Sequence, residues 1–147
     1  MTKKILDYPL SPNSFSKEDI KKAAEVLNSK KITMGPVTKK FEKEFARFIG
    51  TKYALMVNSG SSANLLSTFA LINPRKKNLL KYGDECLIPA LCWSTSLWPI
   101  IQAGLKPKFV DVDPKTLNLS IPDLKRKINK KTKAIVSVHV LGNSTNL

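Results

Sequence analysis

Apolar residues recur at helical spacing twice in the first third of the chain, and each series predicts an amphipathic helix. The first series follows Ser16, which has Asp19 three residues later as in a capping box, and it predicts a helix over residues 17–28. The second series places five apolar side chains on one face: Val37, Phe41, Phe45, Phe48 and Ile49. Gly50 follows and predicts the end of that helix, because glycine readily adopts the left-handed conformation that terminates helices. We interpret the phenylalanines as packing residues.

After residue 50, short β-prone runs alternate with helical stretches. The runs 53–57, 85–89, 108–113 and 134–140 predict strands, and the stretches 63–71, 98–103 and 123–128 predict helices. Asp111 and Asp113 share one face of the third run, but Pro114 follows them, so we interpret them as a strand end and a turn. The alternation indicates βαβ units and an α/β fold with a mostly parallel sheet. We predict an N-terminal arm and helix over residues 1–30 and an α/β domain over residues 31–147.

The turn after the first run carries the clearest candidate chemistry. It has the sequence VNSGSSAN over residues 57–64, between a predicted strand and a predicted helix. The unpaired N–H groups and the positive end of a helix dipole favour an anion there, most often a phosphate. Ser61 and Ser62 offer hydroxyl donors, and Gly60 allows close approach of the backbone. The alternative, which these eight residues alone favour, is that Ser61 or Ser62 only caps the helix.

The charge of the chain raises a second hypothesis, that of a basic nucleic-acid-binding domain. The 147 residues carry 25 Lys and Arg against 11 Asp and Glu, a net charge of +14. However, the only arginines are Arg47, Arg75 and Arg126, and base recognition favours arginine over lysine. The lysines are scattered along the sequence, and no recognition motif accompanies them. We therefore interpret them as a solvated surface and predict no nucleic-acid partner.

The remaining composition indicates a globular protein of the cytoplasm. No apolar run approaches the ~20 residues that a membrane-spanning helix needs, and no signal-peptide pattern opens the chain, so we predict no membrane partner. Cys86 and Cys92 lack the spacing of a metal-binding pair, and we interpret them as reduced core residues. A metal site completed by His139 is disfavoured, because zinc usually takes four well-placed ligands, and we predict no metal.

The predicted topology also suggests which residues share a ligand site. In open parallel sheets, ligands bind at the carboxyl ends of the strands. The serine turn, Trp93 and the segment after His139 all follow predicted strands, and they should therefore lie along that edge. A phosphate site with a flat aromatic ring nearby suggests a planar, phosphorylated ligand. The chain lacks both the GxGxxG pattern of dinucleotide-binding folds and the GxxxxGK[ST] pattern of P-loops.

Four blocks of the sequence resemble the sugar-nucleotide aminotransferase family of pyridoxal phosphate (PLP) enzymes. They are the GP and FEKEFA elements within residues 35–46, NSGSSANL at 58–65, GDE at 83–85 and FVDVD at 109–113. The resemblance implies the N-terminal part of the large domain of a fold type I PLP-dependent transferase, a three-layer αβα arrangement. It implies that Gly60, Ser61 and Ser62 bind the cofactor phosphate and that Trp93 stacks on the pyridine ring. It also implies PLP or pyridoxamine phosphate (PMP) as cofactor, a sugar nucleotide and an amino donor as substrates, and a homodimer.

The reaction depends on residues that this sequence does not contain. The family's catalytic lysine and its cofactor-anchoring aspartate lie beyond the position of Leu147, so we expect a truncated chain that is inactive alone. We favour an aminotransferase acting on a 4-keto or 3-keto sugar nucleotide in polysaccharide or deoxyamino sugar biosynthesis. The alternative is the PMP-dependent 3-dehydratase branch, which replaces the lysine by histidine and which the GSSAN and LGN motifs resemble more closely. His139 is a candidate to line the sugar site.

Overall fold

The computed structural model describes residues 14–75, 77 and 79–146. Most of the predicted N-terminal arm, residues 1–13, therefore lies outside the described residues. The chain divides into two compact units, of which the first ends at Met56 and the second begins at Val57. The domain boundaries derived from the sequence stay a prediction.

The two predicted helices of the first unit are confirmed. Helix α1 spans Lys17–Asn28, and its capping box forms: Ser16 Oγ accepts the Asp19 N–H at 3.1 Å while the Asp19 carboxylate accepts the Ser16 N–H at 2.8 Å. Helix α2 spans Pro36–Ile49 and ends at Gly50, whose φ of 80° lies in the left-handed region that glycine adopts easily.

The apolar face of α2 corrects one expectation. Phe41 and Phe45 stack on each other with ring centroids 5.5 Å apart, but they remain 46% and 44% exposed, and Phe48 is 85% exposed. Within the described chain, the phenylalanines are thus not core residues. Helical spacing identifies the side chains that share a face, but it carries no information about what covers that face.

The first predicted strand, residues 53–57, is also wrong. In the described part of the chain this run belongs to no strand. The Met56 N–H donates instead to the Glu42 carboxylate at 2.9 Å. The β-propensity of the run is real, yet a strand also needs a neighbour to satisfy its backbone groups, and here a side chain supplies one of these bonds.

The second unit alternates helices and strands as predicted. Its elements are α3 (Gly60–Leu71), β1 (Glu85–Pro89), α4 (Ser94–Gln102), β2 (Lys106–Val110), α5 (Ile121–Lys127), β3 (Thr132–Ile135) and a short 3₁₀ turn (Val140–Gly142). The strands form a parallel sheet in the order β2-β1-β3. Helices α3 and α4 begin three and four residues earlier than the sequence predicted. Strand β3 ends earlier, because Val136 donates a last bond to the Leu87 carbonyl and the chain then leaves the ladder.

Helices cover both faces of this sheet. On one face, Cys86 and Ile88 of β1 pack with Ile100 of α4. On the other, Leu87 of β1 packs with Leu124 of α5. Neighbouring residues of β1 are buried on opposite sides, as expected for a central parallel strand. The predicted three-layer αβα architecture is confirmed.

Asp123 joins α5 to the end of β2. Its carboxylate accepts the Asp111 N–H at 2.7 Å and lies 2.8 Å from the Lys127 ammonium. These contacts, led by the bond from Asp111, lower the pKa of Asp123 to about 2. Asp113 accepts the Lys115 N–H at 2.7 Å, which confirms the turn predicted after β2.

Candidate functional site

Ser59 forms the N-cap of α3. Its hydroxyl oxygen accepts the Ser62 N–H at 3.2 Å, and its carbonyl accepts the Ala63 N–H at 3.0 Å. The alternative interpretation of the sequence, that Ser61 or Ser62 only caps the helix, is wrong because the helix begins at Gly60, three residues earlier than predicted. Both serines therefore lie in the first turn of the helix. The capping function and any ligand function consequently belong to different residues.

The start of α3 leaves donors available to an anion. The described residues place no acceptor against the N–H groups of Gly60 and Ser61, which belong to the first turn and have no partner within the helix. The Ser62 hydroxyl is 3.2 Å from the Ser59 hydroxyl, whereas the exposed Ser61 hydroxyl makes no bond within the described chain. A Cβ at Gly60 would meet no atom within 4 Å, so the space beside the backbone is open. With the positive end of the helix dipole, these groups suit a phosphate.

A pocket of about 190 Å³ lies beside this turn, between α3 and α4. It is lined by Ser61, Ser62, Leu65, Thr95, Trp98, Pro99 and Gln102. Complete ligand sites usually measure about 300–1,000 Å³, so this pocket has room for part of a ligand rather than all of one. Asn64 Nδ2 lies 3.5 Å from the Thr95 carbonyl and links the two helices next to the pocket.

Sequence reasoning missed the contribution of α4 to this pocket. Thr95, Trp98 and Gln102 were not among the candidate residues, because the helix was predicted to begin only at residue 98. The cluster of hydroxyl side chains at 94–96 was the available signal, since serine and threonine favour helix starts. An aromatic side chain, Trp98, thus lies in the same pocket as the two serines.

Trp93 is not among the described residues that line this pocket. It occupies the N-cap position of α4, directly after the turn that follows β1, and its side chain is 76% exposed. Such exposure is unusual for a large aromatic residue and leaves the indole face free for a ligand. Its position at the carboxyl end of β1 is the one that the topology predicted.

His139 lies four residues beyond the end of β3 and is exposed. Its Nδ1 accepts the Thr145 N–H at 3.0 Å, so in the neutral ring the proton is on Nε2. The buried Asn118 holds the same segment, accepting the Val140 N–H at 3.0 Å and donating to the Asn143 carbonyl at 2.9 Å. These bonds fix the position of the imidazole. However, His139 is not among the described residues that line the pocket beside α3.

Neither cysteine is an activated thiol at neutral pH. Burial raises the pKa of the Cys86 thiol to about 11 and also raises that of Cys92, so both are protonated at neutral pH. Among residues 14–75, 77 and 79–146, no three His, Cys, Asp or Glu side chains gather in a way that could hold a metal ion. No helix in the same part of the chain is both long and apolar enough to cross a bilayer.

Comparison with known proteins adds an independent line of evidence. Residues 13–147 match the DegT/DnrJ/EryC1/StrS aminotransferase family. The chain is 46% identical over 142 residues to the GDP-4-keto-6-deoxy-D-mannose 3-dehydratase of Escherichia coli. The aligned region covers 97% of this chain and 36% of that protein. A solved structure of the E. coli enzyme with bound hydrated PLP has a TM-score of 0.88, covering 95% of this chain and 36% of that one.

A sugar aminotransferase from Micromonospora echinospora is more distant, with a TM-score of 0.79 at 32% identity over 94% of this chain and 36% of that chain. The chain spans about a third of the length of these relatives. The family match covers almost every residue, and both solved structures share the fold. This protein belongs to the DegT/DnrJ/EryC1/StrS aminotransferase family.

Proposed function

We propose that this chain supplies the cofactor-phosphate site of a PLP- or PMP-dependent enzyme that acts on a keto sugar nucleotide. The observation that carries the proposal is the open first turn of α3, where two N–H groups and the Ser61 hydroxyl have no partner among the described residues. A phosphate has three acceptor oxygens and a negative charge, and it matches such a set of donors at a helix N-terminus.

The residues present fit the cofactor in two further respects. The open space beside Gly60 allows a phosphate to approach the backbone closely. The exposed indole of Trp93 offers a flat surface on which a pyridine ring can stack. When bound, the cofactor supplies an electron sink that stabilises negative charge on the substrate. The residues of this chain bind and orient it: Ser61 and Gly60 at the phosphate, Ser62 in support of the turn, and Trp93 at the ring.

Within the family, we favour the 3-dehydratase branch over the aminotransferases. The support is the identity of 46% to a 3-dehydratase, against 32% to a sugar aminotransferase, over similar shares of the chain. The GSSAN motif at residues 60–64 supports the same branch by resemblance. Transamination of a keto sugar nucleotide is the second candidate, favoured by the family to which the chain belongs. Either reaction requires a sugar nucleotide and an amino donor, and we extend the proposal to a homodimer in which His139 lines the sugar site.

Binding of PMP to the purified chain tests the phosphate site. PMP is preferable to PLP because its amine does not react with the many surface lysines, whereas the aldehyde of PLP does. We expect PMP to bind reversibly, with fluorescence or calorimetry as the readout, and inorganic phosphate to compete. Pyridoxamine without the phosphate is the matched control ligand and should bind far more weakly. Equal binding of PMP and pyridoxamine would contradict the proposal.

A pair of chimeric enzymes tests the reaction branch. The catalytic residue lies outside this chain, so each host supplies it: this chain replaces the matching 36% of the E. coli 3-dehydratase in one chimera and the matching 36% of the M. echinospora sugar aminotransferase in the other. Each chimera receives a keto sugar nucleotide that its host accepts and nitrogen-labelled glutamate. Mass analysis then detects loss of a sugar hydroxyl as water in the first chimera or transfer of the labelled nitrogen to the sugar in the second. We expect activity in the dehydratase chimera, and activity in the aminotransferase chimera alone would refute the dehydratase assignment and support the second candidate.

A further inference from the structure

Four exposed lysines and one exposed tyrosine gather at the edge of the sheet opposite the candidate site. They lie in or beside the segments that lead into the three strands: Lys81 and Tyr82 before β1, Lys106 at the start of β2, and Lys131 and Lys133 at the start of β3. Because the strands are parallel, their amino ends share one edge of the sheet. We refer to these five residues as the amino-edge patch. Sequence analysis did not predict this patch, because its members come from three separate segments of the chain.

Backbone hydrogen bonds hold the patch in place. Gly83 donates to the Gly104 carbonyl at 2.8 Å, which joins the segment before β1 to the segment before β2. Glu85 donates to the Lys131 carbonyl at 2.9 Å, which joins the segments before β1 and β3. Because β1 lies between β2 and β3, the backbone of Lys106 is about two strand spacings, roughly 10 Å, from that of the β3 lysines. The bonds therefore fix where the lysines leave the backbone, at one edge of the sheet, and we refer to this edge as a platform.

Two carboxylates at this edge offset part of the charge of the patch. Asp84 lines a pocket together with Lys81 and Lys133. Glu85 accepts a bond from Asn129 at 2.7 Å and pairs with Lys108 at 3.7 Å. No ion pair of the described residues involves any of the four patch lysines. Asp84 accepts the backbone N–H of Lys81 rather than its ammonium group. The four exposed lysines outnumber the two carboxylates at this edge, so the described edge presents an excess of positive charge to solvent.

Tyr82 gives the patch an amphipathic centre. Its side chain is 90% exposed, and its ring lies over Gly104, where an added Cβ would come within 2.5 Å of a ring carbon. Tyrosine with an apolar ring and a polar hydroxyl is suited to the boundary between water and lipid headgroups, and lysine stems reach along the same boundary. We propose that the amino-edge patch docks the protein on an anionic membrane surface.

The composition of the patch favours lipid over nucleic acid. Single-stranded nucleic acids are held by several stacking aromatics, and base or phosphate recognition favours arginine. The patch contains one aromatic residue and no arginine. Lysines near an anionic bilayer act as point charges without strict geometry, which suits a platform of this kind. The proposal departs from the sequence-based expectation of a solvated surface and no membrane partner, and it concerns a peripheral contact that leaves the carboxyl edge free.

Vesicle co-sedimentation of the full chain tests this proposal. We expect binding to vesicles of phosphatidylcholine containing phosphatidylglycerol, little binding to phosphatidylcholine alone, and loss of binding at high salt. Each lysine contributes about fivefold to the partition coefficient, so Lys106→Gln, Lys131→Gln and Lys133→Gln combined should weaken binding about a hundredfold. The matched control removes the same charge from exposed lysines of α1 and α2, with Lys17→Gln, Lys21→Gln and Lys43→Gln.

The control variant should weaken binding far less than the patch variant, and the circular dichroism of both should match that of the unchanged chain. Equal loss in both variants would overturn the proposal, since net charge and not the patch would then attract the vesicles. Binding to phosphatidylcholine alone that resists salt would also overturn it and point to exposed apolar surface. A single-stranded oligonucleotide that displaces the protein from vesicles and loses affinity in the patch variant would assign the patch to nucleic acid.

Discussion

Substitution of two neighbouring serines separates ligand binding from helix capping at the start of α3. Ser61→Ala removes a hydroxyl that makes no bond within the described chain, so the free energy of unfolding should stay nearly unchanged. A hydrogen bond to a charged group contributes about 1.5–3 kcal/mol, and its loss should weaken PMP binding by roughly one to two orders of magnitude.

Ser59→Ala should have the opposite effects. It removes the oxygen that accepts the Ser62 N–H at 3.2 Å, and losing such a cap costs about 1 kcal/mol of stability. For a domain of this size, that cost lowers the melting temperature by about 2–4 °C. Binding of PMP should change little, because the N–H groups of Gly60 and Ser61 remain in place.

For each variant, thermal unfolding monitored by circular dichroism gives the melting temperature, and a titration with PMP gives the affinity. The reasoning requires that Ser61→Ala changes affinity without stability and that Ser59→Ala changes stability without affinity. If Ser61→Ala instead lowers the melting temperature and leaves the affinity for PMP unchanged, Ser61 is a structural residue and the phosphate site is refuted.

Three further predictions concern other parts of the second unit. Trp93→Ala should weaken PMP binding, whereas Trp93→Phe should reduce the affinity only slightly, since an aromatic pair contributes about 0.5–1.5 kcal/mol beyond burial. If Trp98→Ala lowers the affinity more than Trp93→Ala in the same titration, Trp98 of the pocket is the stacking residue instead. Gly104→Ala should destabilise the fold by about 1–2 kcal/mol, because φ is 72° there and the new Cβ meets Tyr82; an unchanged melting temperature would contradict this. The pKa of Asp123 is lowered from its ordinary 3.8 to about 2, so its contribution to stability is present above about pH 4 and is lost as the pH falls through about 2. Asp123→Asn should therefore lower the free energy of unfolding at neutral pH and make it less dependent on pH in acid. Urea titrations at several pH values measure this. If the variant and the unchanged chain lose stability equally in acid, Asp123 is not the group responsible.

The parts of the fold that the sequence predicted well have local causes. Helix α1 has its bounds set by Ser16 and Asp19, and α2 ends at Gly50, so each signal lies within a few residues of what it determines. The alternation of β-prone and helical segments in the second unit also depends on short-range periodicity. It was sufficient to predict a mostly parallel sheet, whereas the three-layer arrangement was implied by the family resemblance.

The errors arise where distant residues decide the structure. Helix α3 begins with Gly60-Ser61-Ser62 and α4 begins with Ser94-Thr95, and their low helix propensity placed the predicted starts too late. The two helices pack against each other and form the pocket, a tertiary contact that overrides local preference. The prediction of a strand over residues 53–57 was wrong for the opposite reason: the local preference is present, but no neighbouring strand in the described chain completes the backbone bonds.

The reactivity of the two cysteines can be used to measure local opening of the second unit. Cys86 lies in the central strand with 2% of its surface exposed, whereas Cys92 is half-buried in the turn after it. A thiol reagent needs both access and a thiolate, so modification of Cys86 must wait until the strand separates from its neighbours. The rate at which Cys86 is labelled, with Cys92→Ser to remove the faster reaction, therefore measures how often the sheet opens under native conditions. No probe has to be introduced, because Cys86 is a natural thiol in the central strand.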